Sequence, residues 1–286
     1  MGLEHLDRLG EVWTPAAGAF AASPLCRMGA RHGILDMQTL QRRASEDPNW
    51  YWAAAAEDLG MRWIRPYEEV LDLSDGIEFP HFFAGGSLNW ADYAVDRWVD
   101  QGSGDATAIR WEGDDGAFRE LSYAELKEQI DRAAGALQSL GVERGDTVGL
   151  LLPMVPEAAV ALLAVAKIGA INVPMFSGYG PSAVRDRVEQ AGARVIVTCD
   201  AFYRRGKRIP LKATVDQALQ GLNLRHVLVV ERTGEPVAMD AARDRSWNEA
   251  LAAAERIARH VVTAELGRAF DDRIPFAELS QSSSSV

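Results

Sequence analysis

Residues 148–198 read VGLLLPMVPEAAVALLAVAKIGAINVPMFSGYGPSAVRDRVEQAGARVIVT, and three apolar runs alternate there with two helical patterns. Val148 to Leu152 reads as a buried strand, Pro156 to Ile168 as a helix and Ile171 to Phe176 as a strand. Pro181 to Ala191 reads as a second helix and Arg194 to Thr198 as a third strand. Runs this short with apolar residues at consecutive positions have no solvated face, and helices of ten or so residues suit parallel crossovers. The pattern therefore predicts an α/β fold built on a parallel sheet covered by helices on both sides.

Outward from this stretch the signals agree. His226 to Val230 is a further strand of the same kind. On the other side, Ser122-Tyr-Ala-Glu125 has the spacing of a capping box, in which serine and glutamate satisfy each other's orphan amides. It opens an amphipathic helix through Leu126, Ile130, Ala133, Leu137 and Leu140 to Gly141. Thr107 to Trp111 and Ala117 to Leu121 flank Gly113-Asp-Asp-Gly116, which predicts a hairpin. Asp114 and Asp115 are read as turn residues there, because an exposed turn offers no burial to separate two carboxylate pKa values for acid–base work. Beyond Val230 the pattern weakens to an alanine-rich helix candidate from Trp247 to His260. The closing Ser280-Gln-Ser-Ser-Ser-Ser-Val286 has the composition of a flexible tail.

The first hundred residues differ from the rest. Six of the eight tryptophans (Trp13, Trp50, Trp52, Trp63, Trp90 and Trp98) fall there among short, irregular helical pieces. Asp47-Pro-Asn49 predicts a helix start and Gly60 its end. Residues 1–100 are therefore expected to form a helical and irregular wrapping extension, whose tryptophans are packing surfaces against a neighbouring domain, and residues 101–286 a second domain.

Composition narrows the function classes. The 286 residues are 48% hydrophobic and 25% charged, with 41 acidic against 30 basic side chains and a formal charge of -11. A phosphate backbone would be repelled by that average field, so no nucleic-acid partner is expected. Two cysteines and five scattered histidines offer neither a disulfide scaffold nor metal-ligand spacing, and a reducing, cytoplasmic setting is expected. No apolar run approaches the ~20 residues of a membrane span. Acidic residues Glu4, Asp7 and Glu11 stand where an export signal would be basic.

Two places carry candidate binding chemistry. In Phe176-Ser-Gly-Tyr-Gly180, Gly178 and Gly180 let backbone amides approach a ligand at a strand end that runs into a helix N-terminus, an anion-binding arrangement. Together with Ala183 and with Asp200 after the next strand, the same residues match the G-x-G-x-x-A dinucleotide pattern. An NAD(P) binder using Gly178, Gly180 and Asp200 is thus an alternative, although a strand and helix of the same sheet already precede this turn. The second place is Tyr203 to Lys212, where Arg204, Arg205, Lys207, Arg208 and Lys212 surround Gly206. Such a run either clamps a phosphate through forked guanidinium hydrogen bonds or is a solvated loop paired with surface acids. Nucleophile-elbow, zinc-protease and Cys-x-x-Cys patterns are absent from the sequence, and catalytic and metal-binding residues are not assigned.

In combination and order, Trp111 to Asp115, Leu121 to Leu126, Leu140 to Asp146, Leu152 to Glu157, Ala166 to Ala170 and Tyr203 to Lys212 resemble the N-terminal half of AMP-forming acyl-CoA synthetases. The resemblance runs from about Trp50 to Val230 and is nearest to acetyl-CoA synthetases, while Val12-Trp-Thr-Pro15 is similar to acetoacetyl-CoA synthetases. It implies the fold of an adenylate-forming enzyme and a two-step reaction. A carboxylic acid attacks the α-phosphate of ATP, held with magnesium, to give an acyl-adenylate and pyrophosphate; coenzyme A then displaces AMP. Coenzyme A contacts carry over onto Gly178, Arg204, Arg205, Gly206 and Lys207, with Ser177 standing where the family has the first glycine of a pair. The family's Ser/Thr/Gly-rich phosphate loop ends in Pro-Lys-Gly, whereas Ser282 to Ser285 contain neither glycine nor lysine. The expectation is an incomplete AMP-binding domain that lacks the ATP site, is inactive alone, and self-associates through an exposed sheet edge. A non-catalytic interaction module is the remaining alternative.

Overall fold

The computed structural model describes residues 22–255 and 264–265. Val12 to Pro15, Trp13, His260 and the serine tail lie outside the described residues. The chain divides into two compact units, Met1–Arg62 with Tyr67–Ala84, and Trp63–Pro66 with Gly85–Val286.

The first unit holds α1 (Pro24–Arg31), α2 (Met37–Glu46), α3 (Pro48–Asp58) and the antiparallel pair β1 (Glu69–Asp72) and β2 (His81–Ala84). Its helices begin where short polar side chains accept from orphan backbone amides: Ser23 from Cys26, Asp36 from Thr39 and Asp47 from Trp50. Met28, Ile34, Leu40 and Ala54 form its buried centre, with Trp50 and Tyr51 against them. Trp50 is also held by the guanidinium of Arg43, 3.9 Å from the ring centroid, and by the edge of His32.

The second unit begins with β3 (Ser87–Leu88), a π-helical turn at Asp92–Asp96 and α4 (Arg97–Asp100). The expected hairpin follows as β4 (Thr107–Glu112) and β5 (Phe118–Ser122), and the capping box at Ser122 and Glu125 opens α5 (Tyr123–Ser139). Then come β6 (Thr147–Leu150), α6 (Pro156–Lys167), β7 (Ile171–Pro174), α7 (Pro181–Ala191) and β8 (Val195–Cys199). A small hairpin, β9 (Phe202–Arg204) and β10 (Lys207–Ile209), precedes α8 (Leu211–Ala218), β11 (His226–Val230), β12 (Asp244–Ser246) and α9 (Trp247–Ala253). A last short strand, β13 (Ala264–Glu265), pairs antiparallel with β3.

Five strands form one parallel sheet in the order β12-β11-β8-β6-β7. The chain starts at β6, steps one way to β7, then crosses back over β6 to β8, β11 and β12. The direction reverses between β6 and β8, which makes that gap the switch point of a doubly wound sheet. Because crossovers are right-handed, the reversal puts the connecting helices on opposite faces. Accordingly α5 packs on α6 and α9, while α7 packs on α8. The core is the apolar face of α5 (Leu126, Ile130, Ala133, Leu137) packed on α6 (Val160, Ala164, Val165), with α6 lying on β6 and β7 and α9 on β11, and these helix residues are fully or nearly fully buried.

One strand departs from the expected two-sided burial. β7 is the edge of this five-stranded sheet, and Ile171 is half exposed. Pro174 fits that position, because an edge strand tolerates a residue with no N–H to give. Among the described residues no helix is long and apolar enough to cross a membrane.

Candidate functional site

The two predicted anion sites converge. Leaving β7, the chain turns tightly through Phe176 to Tyr179, whose N–H donates to the Phe176 carbonyl at 2.9 Å. The Phe176 ring folds back over Gly178, so closely that a Cβ at Gly178 would lie 2.5 Å from it. A side chain at Gly178 would therefore push this half-exposed ring out of its position. Gly180 then caps α7 with Pro181 in its first turn and no side-chain acceptor, so the early amides of α7 carry no intrahelical or side-chain partner. Those free donors and the helix dipole favour an anion.

The basic run is a hairpin. Arg204 pairs with Lys207 across a two-residue turn in which Arg205 (φ 52) and Gly206 (φ 71) are both left-handed, as a type I′ turn requires. Arg204, Arg205, Gly206 and Lys207 are exposed. The guanidinium of Arg204 stands 5.3 Å from the centroid of the Phe176 ring, which meets Tyr179 edge-on, and this contact joins the glycine turn to the hairpin. Behind it Arg187 stacks on Tyr179 at 4.2 Å.

Not every basic residue of the run faces outward. Arg208 pairs with Glu235 at 2.7 Å. Lys212, at the start of α8, is buried and meets Asp216 and Asp244, each at 2.7 Å, and the Ala238 carbonyl. The exposed positive site is thus Arg204, Arg205 and Lys207, and Lys212 is a structural cation.

Asp200 does not reach a ribose. It is buried at the end of β8, and its two oxygens accept from the amides of Ala201, Arg232, Thr233 and Gly234 and from the Thr233 hydroxyl, at 2.6–3.2 Å. A carboxylate has about four acceptor sites, and these are filled from within the fold. Burial raises its pKa, but the hydrogen bonds outweigh that and hold it below the ordinary carboxylate range. Gly178 moreover follows an edge strand, away from the switch point where a dinucleotide fold keeps its phosphate turn. The alternative built on Gly178, Gly180 and Asp200 is overturned by this geometry.

Sequence reasoning missed the hairpin tip at Asp114 and Asp115 as part of this neighbourhood. Asp114 Oδ2 accepts the Arg205 N–H at 2.9 Å, and Asp115 accepts from Arg232 at 2.6 Å. The Arg232 contact holds the Asp115 carboxyl below its usual range. Proximity of residues ninety positions apart leaves no trace in local pattern. Among the described residues no three His, Cys, Asp or Glu side chains converge as metal ligands.

Comparison with known proteins follows the same lines. A family model described as AMP-binding enzyme matches residues 95–264, more than half of the chain, and one described as acetyl-coenzyme A synthetase N-terminus matches residues 37–94. The acetyl-coenzyme A synthetase of Streptomyces coelicolor is 44% identical over 210 residues, covering 73% of this chain and 32% of its own length. That of Deinococcus radiodurans is 40% identical over 227 residues, covering 78% and 34%. Among solved structures, an acetoacetyl-CoA synthetase from Streptomyces lividans superposes with a TM-score of 0.76 at 28% identity, over 87% of this chain and 39% of that one. The chain spans about a third of the length of the curated relatives it matches. With the doubly wound sheet, the family models and these relatives in agreement, the chain belongs to the AMP-binding enzyme family and resembles the N-terminal half of an acyl-CoA synthetase.

Proposed function

We propose that the chain supplies the coenzyme A nucleotide site of an AMP-forming carboxylic acid:CoA ligase acting on a short-chain acid such as acetate. In that reaction the acid displaces pyrophosphate from ATP to form an acyl-adenylate, and the coenzyme A thiol then displaces AMP. The carrying observation is the contact of Arg204 with Phe176, which unites an amide-rich glycine turn and an exposed basic hairpin on an otherwise acidic molecule. Arg204, Arg205 and Lys207 would meet the nucleotide phosphates, Arg204 and Arg205 by forked hydrogen bonds and Lys207 as a point charge. Gly178 and Gly206 would let backbone approach the same group. The parent reaction belongs to the cytoplasm, where coenzyme A and ATP are at hand.

Calorimetric titration of the chain with coenzyme A and with dephospho-coenzyme A tests this. Saturable binding that weakens about tenfold on loss of one phosphate is expected, since one well-placed charge-assisted contact is worth ~1.5 kcal/mol. Equal affinity for the two, or no heat with either, would refute the assignment.

A further inference from the structure

We propose that Asp114 is a positioning residue for coenzyme A binding: its carboxylate holds Arg205 in the left-handed conformation on which the aim of Arg204 and Lys207 depends. The inference rests on reading the basic hairpin as the coenzyme A site.

Left-handed backbone suits Gly206 but not Arg205, whose Cβ crowds the following carbonyl at φ 52. The type I′ turn formed here needs both central residues there, and types I and II would splay the strands. Arg204 and Lys207 are the pair flanking the turn, so a change at Arg205 redirects them first. The force that keeps Arg205 in place comes from 91 residues away, where Asp114 Oδ2 accepts its N–H at 2.9 Å.

Asp114 is itself delivered by a firmly seated hairpin. Trp111 Nε1 donates to the Met154 carbonyl at 2.5 Å, beside the carboxyl end of β6. Arg119 forks onto Glu157 at 2.7 and 2.6 Å. Arg232 donates to Asp115 and lies 4.8 Å over the Trp111 ring. The tip is so tightly drawn in that a Cβ at Gly113 would stand 2.5 Å from Asp115 Oδ1 and 2.6 Å from Arg232 Nη2. Asp114 therefore reaches Arg205 from a fixed platform.

As a negative charge beside a phosphate site, Asp114 alone would weaken coenzyme A binding. A purely electrostatic role and a positioning role thus predict opposite signs on its removal. In calorimetric titrations of the full chain, Asp114→Ala should raise the coenzyme A Kd about tenfold. Asp114→Asn keeps an oxygen that accepts the same N–H and should stay within about threefold of the unaltered chain. In an Arg205→Gly background, where left-handed backbone costs nothing, Asp114→Ala should change the Kd less than about twofold. Amide hydrogen exchange at Arg205, read without ligand, should be slow in the unaltered chain and in Asp114→Asn, and fast in Asp114→Ala.

Tighter or unchanged binding by Asp114→Ala overturns the proposal, as does Asp114→Asn failing equally or an undiminished effect in the glycine background. Absence of any coenzyme A binding by the unaltered chain instead sinks the reading of the hairpin as a coenzyme A site. The Arg205 exchange then decides the clamp by itself, and equal exchange in the unaltered chain and Asp114→Ala rejects it.

Discussion

Lys207 and Lys212 stand five residues apart in one basic run, yet they occupy opposite physical worlds. Lys207 flanks a hairpin turn in solvent, whereas Lys212 is buried and ringed by Asp216, Asp244 and the Ala238 carbonyl. The run divides at β10: its first half is free to meet a ligand and its second half holds α8 to the loop before β12. A buried cation is tolerated only when its partners are supplied, and here Arg243 completes the cluster by pairing with both aspartates. Charge density along a chain thus measures neither binding nor stability until the partners are known.

The harshest break of this comparison is Lys212→Met. Removing one member of a buried pair strands the other, and a loss of ~3 kcal/mol is expected, the lower end of the usual range because Arg243 remains beside both carboxylates. Urea unfolding measures it. The folded fraction should bind coenzyme A as before, and a variant that kept its stability while losing affinity would reverse the roles assigned to the two lysines.

A second test uses pH. Asp200 is pushed up by burial and down, more strongly, by the hydrogen bonds it accepts, so its folded pKa lies below that of the open chain. Asp244 behaves likewise, burial being outweighed by Arg243, Lys212 and a backbone amide. A lowered folded pKa means that the unfolded chain binds protons first as the solution is acidified. The contribution is complete above the ordinary carboxylate pKa and drains away as pH falls toward the folded one. Asp200→Asn should cost ~2 kcal/mol at neutral pH, because its amide nitrogen faces donors, and should flatten the acid limb of stability against pH. A variant with the same acid slope as the parent would remove Asp200 from the account.

These two residues also mark where local sequence stops informing. β6, β7, β8 and β11 were legible because each is a short apolar run between helix signals, and α5 because Ser122 and Glu125 announce its start. β12 was not, since Asp244-Arg-Ser246 is polar and pairs only because β11 lies beside it. The edge position of β7 is a property of sheet order, fixed by crossovers that no single element encodes. Of the candidate site, the glycine turn and the run of basic residues could be named from the sequence, but their approach to one another and the contact of Asp114 with Arg205 could not. Arg205 occupies a turn position where asparagine, aspartate or glycine normally signals a hairpin, and its partner Asp114 reads as ordinary turn chemistry.

The gentlest test sharpens the exposed side of the comparison. Lys207→Ala removes a charge that the fold does not use for packing, so unfolding should shift by less than ~0.5 kcal/mol, as for other solvent-facing substitutions. Its effect should appear in coenzyme A affinity alone, about fivefold, and should shrink as salt rises because the contact is screened within a Debye length of ~10 Å at 0.1 M. A charge of the same sign five residues away is silent in that assay, which separates ligand-facing from fold-holding charge by experiment. If instead Lys207→Ala and Lys212→Met perturbed affinity alike after correction for the unfolded fraction, the hairpin and α8 would respond as one unit. The division of the basic run at β10 would then fail.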